Sequence, residues 1–320
     1  MLAFVRGAAR QTFSAASARS PRAHSRIQSF SSLIGDCLEN SVQKIPHKEA
    51  LRSIKQDIRW SYKELNKFVD ELAHGFKDFQ LEANDVIAIW LSNSAENLVI
   101  QFAAAKIGVT LAVIDPLISS PEELEHVLHD SKARTLIFEP FIAGRNQTKI
   151  VEAIFPELQT YVQRQEIFRP KRFRHLHSVI STGAEEEEGI IPFHGIFVNS
   201  PEPHIMDFAK RKVNEQTPYL ISYTKSEKGL PQKSEVLTQG EAFKQAQHII
   251  KTMNVSIDDK ILLEDLDKGH SFAPIAAACQ SSLLVIPASE PSQEARDLAL
   301  KVEPCTITAR GATSLQRIKA

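Results

Sequence analysis

Between Ser61 and Phe138 the chain shifts repeatedly between a helical and an extended hydrophobic period. Leu65, Phe68, Val69, Leu72, Phe76 and Phe79 fall at helical spacing, which gathers them on one stripe. Ser61-Tyr62-Lys63-Glu64 precedes that stripe as a capping box, in which the serine caps an exposed amide and the glutamate reaches back. Residues 86–91 form a short apolar run with β-branched side chains, bounded by Asn84-Asp85 and Ser92-Asn93. That pattern predicts a strand buried on both faces. Residues 96–107 return to helical spacing, and Gly108 stands where it can end a helix. A second strand is predicted at 110–114, stopped by Asp115-Pro116. Ser120-Pro121-Glu122-Glu123 joins a cap, a proline at the first helical position and another capping glutamate. It opens a helix to about Asp130, ahead of a strand at 134–138.

Residues 139–217 are less regular, with a helix predicted at 150–155 and ended by Pro156. The alternation then resumes. Strands are predicted at 219–223, 260–263, 282–286 and 305–308, and helices at 241–253, 272–279 and 291–302. Strands separated by helices of this length predict βαβ units and parallel sheets flanked by helices, an α/β fold. The expected organisation is a leader at 1–32, a first α/β subdomain at 33–217 that includes the irregular 139–217 stretch, and part of a second α/β subdomain at 218–320.

The leader carries Arg6, Arg10, Arg19, Arg22 and Arg26 among alanines and serines, with no acid before Asp36. An Arg-rich, Ser-rich, acid-free N-terminus reads as a mitochondrial presequence, with a processing region around 26–31. Net charge is −1, so no global field favours nucleic acid. The longest apolar region, 272–288, is broken by Gln280, Ser281 and Ser282 and is too short and polar to span a bilayer; any membrane contact is expected to be peripheral. Cys37, Cys279 and Cys305 show neither metal-ligand spacing nor a disulfide framework. Asp258, Asp259, Glu264, Asp265, Asp267 and His270 lack calcium-loop spacing, and strand periodicity sends neighbours to opposite faces. His126 and His129 read as surface residues. Arg164, Arg169, Lys171, Arg172, Arg174, His175 and His177 form a basic run, either a solvated face or a surface for an anionic neighbour, a partner subunit or lipid headgroups. The chain has no Gly-x-Ser-x-Gly elbow, no lysine P-loop and no Gly-x-Gly-x-x-Gly fingerprint.

Several phrases, in order, carry a family resemblance. Trp60-Ser61-Tyr62-Lys63-Glu64-Leu65, the run 85–93, Ala104-Ala105-Lys106-Ile107-Gly108-Val109 and Asp115-Pro116 are similar to successive motifs of the adenylate-forming (AMP-binding) superfamily, acyl-CoA synthetases in particular. Tyr223-Thr224-Lys225-Ser226-Glu227-Lys228-Gly229-Leu230-Pro231, continued by Val236-Leu237-Thr238, resembles that family's phosphate-binding loop. Gln232 then reads as an insertion that puts Lys233 on the family's lysine. The resemblance covers roughly residues 40–310 and is patchy through 139–217.

Departures from the family pattern are concentrated in that loop. Thr224, Lys225, Ser226, Glu227, Lys228, Gly229, Pro231 and Lys233 are the nucleotide-loop positions, and Lys225 to Lys228 replace the family's Ser-Gly-Thr-Thr. Glu227 stands where the family has a hydroxyl. A carboxylate ~4 Å from a phosphate charge is repelled by about 4 kcal/mol at an effective dielectric of 20, partly offset by Lys225 and Lys228. Gln239 replaces the family's histidine after Leu-Thr, and Gly269-His270 stands at its later Phe-His pair. Glycine is scarce, 12 in all, about half the typical ~7% usage, which leaves little bare backbone to wrap a triphosphate. The chain also reaches Ala320 before the family's ribose-binding and C-terminal catalytic motifs. The resemblance with these departures implies a chain that is not an enzyme and has no catalytic residue, metal or resident cofactor. It is expected to serve as a structural or accessory subunit among other mitochondrial proteins, in the matrix or on the matrix face of the inner membrane, a respiratory or ATP synthase complex being one such setting. Two alternatives stay open: a module with residual affinity for ATP, AMP or acyl-CoA, and a subunit of a mitochondrial fatty-acid–CoA ligase that requires a partner chain.

Overall fold

The structure, a computed structural model, describes residues 33–161, 168–226, 229–266 and 269–318; the expected presequence lies outside them. Helix α1 (Ile34–Lys44) leads into the hairpin of β1 (Glu49–Ser53) and β2 (Ile58–Ser61), then α2 (Tyr62–Asp78). Next come β3 (Val86–Trp90), α3 (Ala95–Ile107), β4 (Thr110–Ile114), α4 (Pro121–Ser131) and β5 (Thr135–Phe138). A small ribbon, β6 (Phe141–Ile142) with β7 (Arg145–Asn146), precedes α5 (Gln147–Ile154), β8 (Ser178–Ser181), β9 (Ile191–Pro192) and α6 (Pro203–Lys210). Then β10 (Pro218–Ser226) pairs with β11 (Gly229–Thr238), followed by α7 (Gln239–Met253) and β12 (Lys260–Asp265). Helix α8 (Ala273–Gln280), β13 (Leu283–Ile286), α9 (Gln293–Val302), β14 (Ile307–Arg310) and β15 (Ser314–Arg317) complete the described chain.

The strands make two large sheets. One has seven strands in the order β11-β10-β4-β3-β5-β8-β9, the other six in the order β15-β14-β12-β13-β1-β2. Within the seven-stranded sheet β10, β4, β3, β5, β8 and β9 are parallel and β11 returns antiparallel. In the six-stranded sheet β14, β12, β13 and β1 are parallel, with β15 and β2 as antiparallel edges.

Strand periodicity sets the layers. Ile87 and Ile89 of β3 enter one core cluster, while Ala88 and Trp90 enter another on the opposite face, as a period of two requires. The first cluster holds α1, α2, α3, α7 and α8 between the two sheets. The second is closed by α4 and α5 on the outer face of the seven-stranded sheet, and α9 covers the outer face of the other. The layering is αβαβα. Helix α3 lies between the sheets and is buried all round, which is why its sequence carries almost no polar face.

The capping boxes predicted at Ser61 and Ser120 both form, and Gly108 ends α3 in the left-handed region at φ 75°. A third box, Thr238 with Glu241, starts α7. The α/β fold with parallel, helix-flanked sheets is as expected. Sheet membership, however, does not follow the 217/218 division in the sequence. Strand β10 pairs in parallel with β4, Leu220 opposite Leu111, and β1 crosses to the other sheet beside β13, Leu51 opposite Leu284. Helix α9 begins at Gln293 rather than 291, because Ser292 caps it by accepting from Ala295 N.

Candidate functional site

In an open α/β sheet ligands gather beyond the carboxyl ends of the strands, at the point where successive connections leave for opposite faces. Here each sheet has such a point. After β3 the chain turns inward to α3, and after the adjacent β4 it turns outward to α4. After β12 it turns inward to α8, and after the adjacent β13 outward to α9. Both points open onto one cleft of ≈ 770 Å³, whose walls include Ser92, Asn93 and Asp115 from one sheet and Asp265, Ser289 and Glu290 from the other. Asn93 ties the walls together: its Nδ2 donates to Leu263 O at 2.8 Å and its amide to Ser289 O at 3.3 Å. That volume lies within the ~300–1,000 Å³ of small-molecule sites.

Of the expected loop positions, Thr224 and Lys225 line this cleft. Asp115, just past β4, accepts from the amides of Leu117 and Lys225 at 2.9 and 3.0 Å, which fixes the end of β10. The Lys225 ammonium folds back to Leu117 O and Ser119 Oγ, both at 3.0 Å, with a Glu123 carboxylate at 3.7 Å. Ser226 pairs with Gly229 in the β10–β11 ladder. Glu227 and Lys228 fall outside the described residues. A hairpin commits alternate amides to the ladder instead of turning them toward an anion. Pro231 is buried on this edge strand beside a register shift, where its missing N–H costs nothing to the ladder. Lys233 does not line the cleft. It pairs with Asp130 of α4 at 2.8 Å, and Asp130 also accepts from the Tyr223 hydroxyl at 2.7 Å. The Lys233 and Tyr223 hydrogen bonds outweigh partial burial and hold the Asp130 carboxyl below its ordinary value.

Other walls were not singled out by sequence reasoning. Arg145, beyond β5, donates from Nη2 to Pro116 O and keeps Nε buried without a partner among the described residues. Glu290 accepts from Ala143 N at 2.8 Å, and Arg310 lies at the end of β14. Behind Ser92, Glu139 accepts from Ser92 N at 2.9 Å and from its hydroxyl. Burial, with Glu96 and Glu290 nearby, raises the Glu139 carboxyl above its ordinary value despite those bonds. The legible signal was position: Ser92-Asn93 and Asp115-Pro116 directly follow predicted strands, where a switch-point reading would have placed a ligand.

The remaining family-matched positions have packing roles. Gln239 is buried; its Oε1 accepts from Ile34 N and its Nε2 donates to Ala105 O, joining α7, α1 and α3. At Gly269, φ is 85° and a Cβ would lie 2.6 Å from Val113 Cγ1, so a phenylalanine has no room there. His270 is buried, with Nε2 3.0 Å from Glu235 Oε2. Asp259 and Glu264, weighed as ligands of a shared cation, go to separate arginines: Asp259 to Arg317, Glu264 to Arg296 and Arg310.

Two mostly parallel sheets whose switch points share one cleft, with the resembling loop at its wall, define the class. The sequence pattern of the AMP-binding enzyme family matches residues 38–309, and the chain belongs to that family. Among curated relatives, the human protein named medium-chain acyl-CoA ligase ACSF2, mitochondrial, is 25% identical over 203 residues, 63% of this chain and 32% of that protein. The chain thus spans about a third of that relative's length. Among solved structures, the anthranilate CoA ligase AuaEII in complex with anthranoyl-AMP superposes with a TM-score of 0.69 at 16% identity, over 86% of this chain and 49% of that one. A long-chain-fatty-acid-CoA ligase (FadD1) from Archaeoglobus fulgidus gives 0.66 at 19% identity, over 85% and 50%. These likenesses establish the fold.

The family assignment corrects one expectation. The chain was expected not to be an enzyme, on the replaced loop residues. The family spanning residues 38–309 is one of enzymes, and the ACSF2 relatives are named as ligases. Altered side chains in one loop change how a site could work without removing the chain from an enzyme family.

Proposed function

We propose that this chain takes part in acid–CoA ligation in mitochondria, as a ligase-family subunit of a larger protein assembly. Its cleft receives the carboxylic acid and nucleotide, and the rest of the ligase fold, in a second chain or in continuous sequence, closes over it. The observation that carries this reading is the cleft itself: two sets of strand ends converge on it, with Thr224 and Lys225 of the family loop at its wall. Mitochondrial placement is supported by the arginine-rich, acid-free residues 1–32 and by the mitochondrial label of the ACSF2 relatives. Burial between two sheets excludes water from part of such a cleft and strengthens charge–charge contacts there. Lys225, Arg145 and Arg310 supply cationic groups at its rim for an acyl phosphate or pyrophosphate.

The test uses the native assembly, captured from mitochondria through a tag on this chain. Acid-dependent exchange of pyrophosphate into ATP is expected in the captured material. Lys225→Glu should lower it at least ~10-fold, since like charges a few ångströms apart repel by more than 1.4 kcal/mol at intermediate dielectric. Absence of exchange in an intact assembly, or exchange indifferent to Lys225→Glu, would sink the reading.

A further inference from the structure

The basic run from Arg169 to His177, with Arg164 lying outside the described residues, sits on a part of the molecule that the ligase reading leaves unused. Residues 168–177 cross the outer face of the seven-stranded sheet, with Phe168, Pro170, Phe173 and Leu176 turned inward and buried. Phe168 and Phe173 pack edge-on against Phe155, with ring centroids 6.0 and 5.1 Å away. Two reverse turns, Phe173 N to Pro170 O and Leu176 N to Phe173 O, fix the backbone between these anchors. The intervening Arg169, Lys171, Arg172, Arg174 and His175 are therefore presented outward from a held loop.

Part of this surface is concave. A pocket of ≈ 220 Å³ is bounded by Lys171, Arg172, Arg174 and His175 on one side and by the end of α4 on the other. His129 of α4 stacks on Phe173 with centroids 4.3 Å apart and planes at 26°, forming its floor. Arg172 is held by Glu125 and lies 5.8 Å over the Phe173 ring. Lys171 and Arg174 have no ion pair among the described residues. The field here is positive: after burial itself, Arg134 and Arg169 are what push the neighbouring His177 below its ordinary value.

We propose that this pocket is a binding site for a phosphate group, held by Lys171 and Arg174 with His129, Arg172 and His175 around it. A compact multivalent oxyanion matches several donors converging on a small concavity, and the guanidinium fork suits it geometrically. The same group occurs on soluble phosphate esters and on phospholipid headgroups. A peripheral lipid contact needs no membrane-crossing helix, and among the described residues no helix is long and apolar enough to cross. The site lies outside the cleft and does not depend on the ligase reading.

The test titrates the full chain with inorganic phosphate and, separately, with phosphatidylcholine vesicles with and without phosphatidic acid. Lys171→Gln with Arg174→Gln is compared with Lys244→Gln with Lys251→Gln, an equal charge change on the exposed face of α7. The first pair should weaken binding at least ~10-fold, as two lost charge-assisted bonds imply, and the second should leave it unchanged. Binding of free phosphate with this pattern supports a soluble ester as the source; binding of acidic vesicles alone with this pattern supports a headgroup. Equal weakening by both pairs reduces the effect to overall charge and overturns the proposal, as does binding of neither probe.

Discussion

Lys106 is a lysine with a fully buried side chain, and its neighbours show how the protein tolerates it. Its Nζ lies 2.6 Å from Asp70 Oδ1, 2.8 Å from Asn66 Oδ1 and 3.0 Å from Glu39 Oε1. Lys106→Met keeps the volume and strands the acids, so unfolding free energy should fall by ~2–4 kcal/mol in urea titration; the acids' partial exposure favours the lower part of that range. For Glu39, burial pulls the carboxyl upward, but Lys106 and Lys210 outweigh it and leave it below its ordinary value. Its contribution is therefore full above about pH 4.5 and is lost as pH falls through the folded value. That acid loss should be shallower in Lys106→Met. Glu139 has the opposite sign: its carboxyl is raised, so folding favours the protonated form and the penalty appears as pH rises through the folded value. Glu139→Gln should melt no lower than the parent at pH 7, with any advantage shrinking as pH falls into the acid range, read by thermal melts across pH. The sequence placed Lys106 inside a family phrase but could not show it buried, because helical spacing cannot report a face covered from both sides.

Among the elements, Gly75 marks a close approach of α2 to the turn at 193–196. A Cβ there would stand 1.8 Å from Ile196 O, so α2 and the turn at 193–196 can touch only at a bare backbone. Gly75→Ala should cost at least ~2 kcal/mol despite alanine's better helix propensity, measured by denaturant unfolding. In the β10–β11 hairpin, Asp130 clamps both strands through Tyr223 and Lys233. Asp130→Ala should speed amide exchange along β11 ~10-fold or more while leaving β4 protected. Helices with capping boxes and strands with β-branched runs were legible because their signals are local. Helix α1 carries Ile34, Cys37, Leu38 and Ser41 at helical spacing, but Leu33 at its start offers no capping side chain. Strand β11, which the resemblance covers as a phosphate-binding loop, shows no apolar alternation because, as an exposed edge, it needs none and even admits Pro231.

For the whole molecule, Asn93 is a polar tie between the two sheets at the border of the cleft. Asn93→Ala should lower stability by ~1–2 kcal/mol, read by thermal melting, and should weaken any ligand that bridges both walls. The family resemblance located one wall of that cleft, at Thr224 and Lys225. The facing wall, at Asp265 and Glu290, was illegible because no sequence period reports which strand ends will face each other across two sheets. The same long-range pairing bears on how the polypeptide acquires its shape. Ser41 Oγ lies 2.6 Å from Ala278 O, and Leu51 pairs with Leu284, so α1 and β1 have partners far along the chain. On the ribosome, β3, β4 and β5 can associate as soon as they emerge and β1 can pair with β2, whereas the other edge of β1 stays open until β13 is translated. Contacts of such sequence separation close slowly. The nascent chain therefore carries an open edge on β1 until β13 emerges, and such an edge is a template for pairing with another chain.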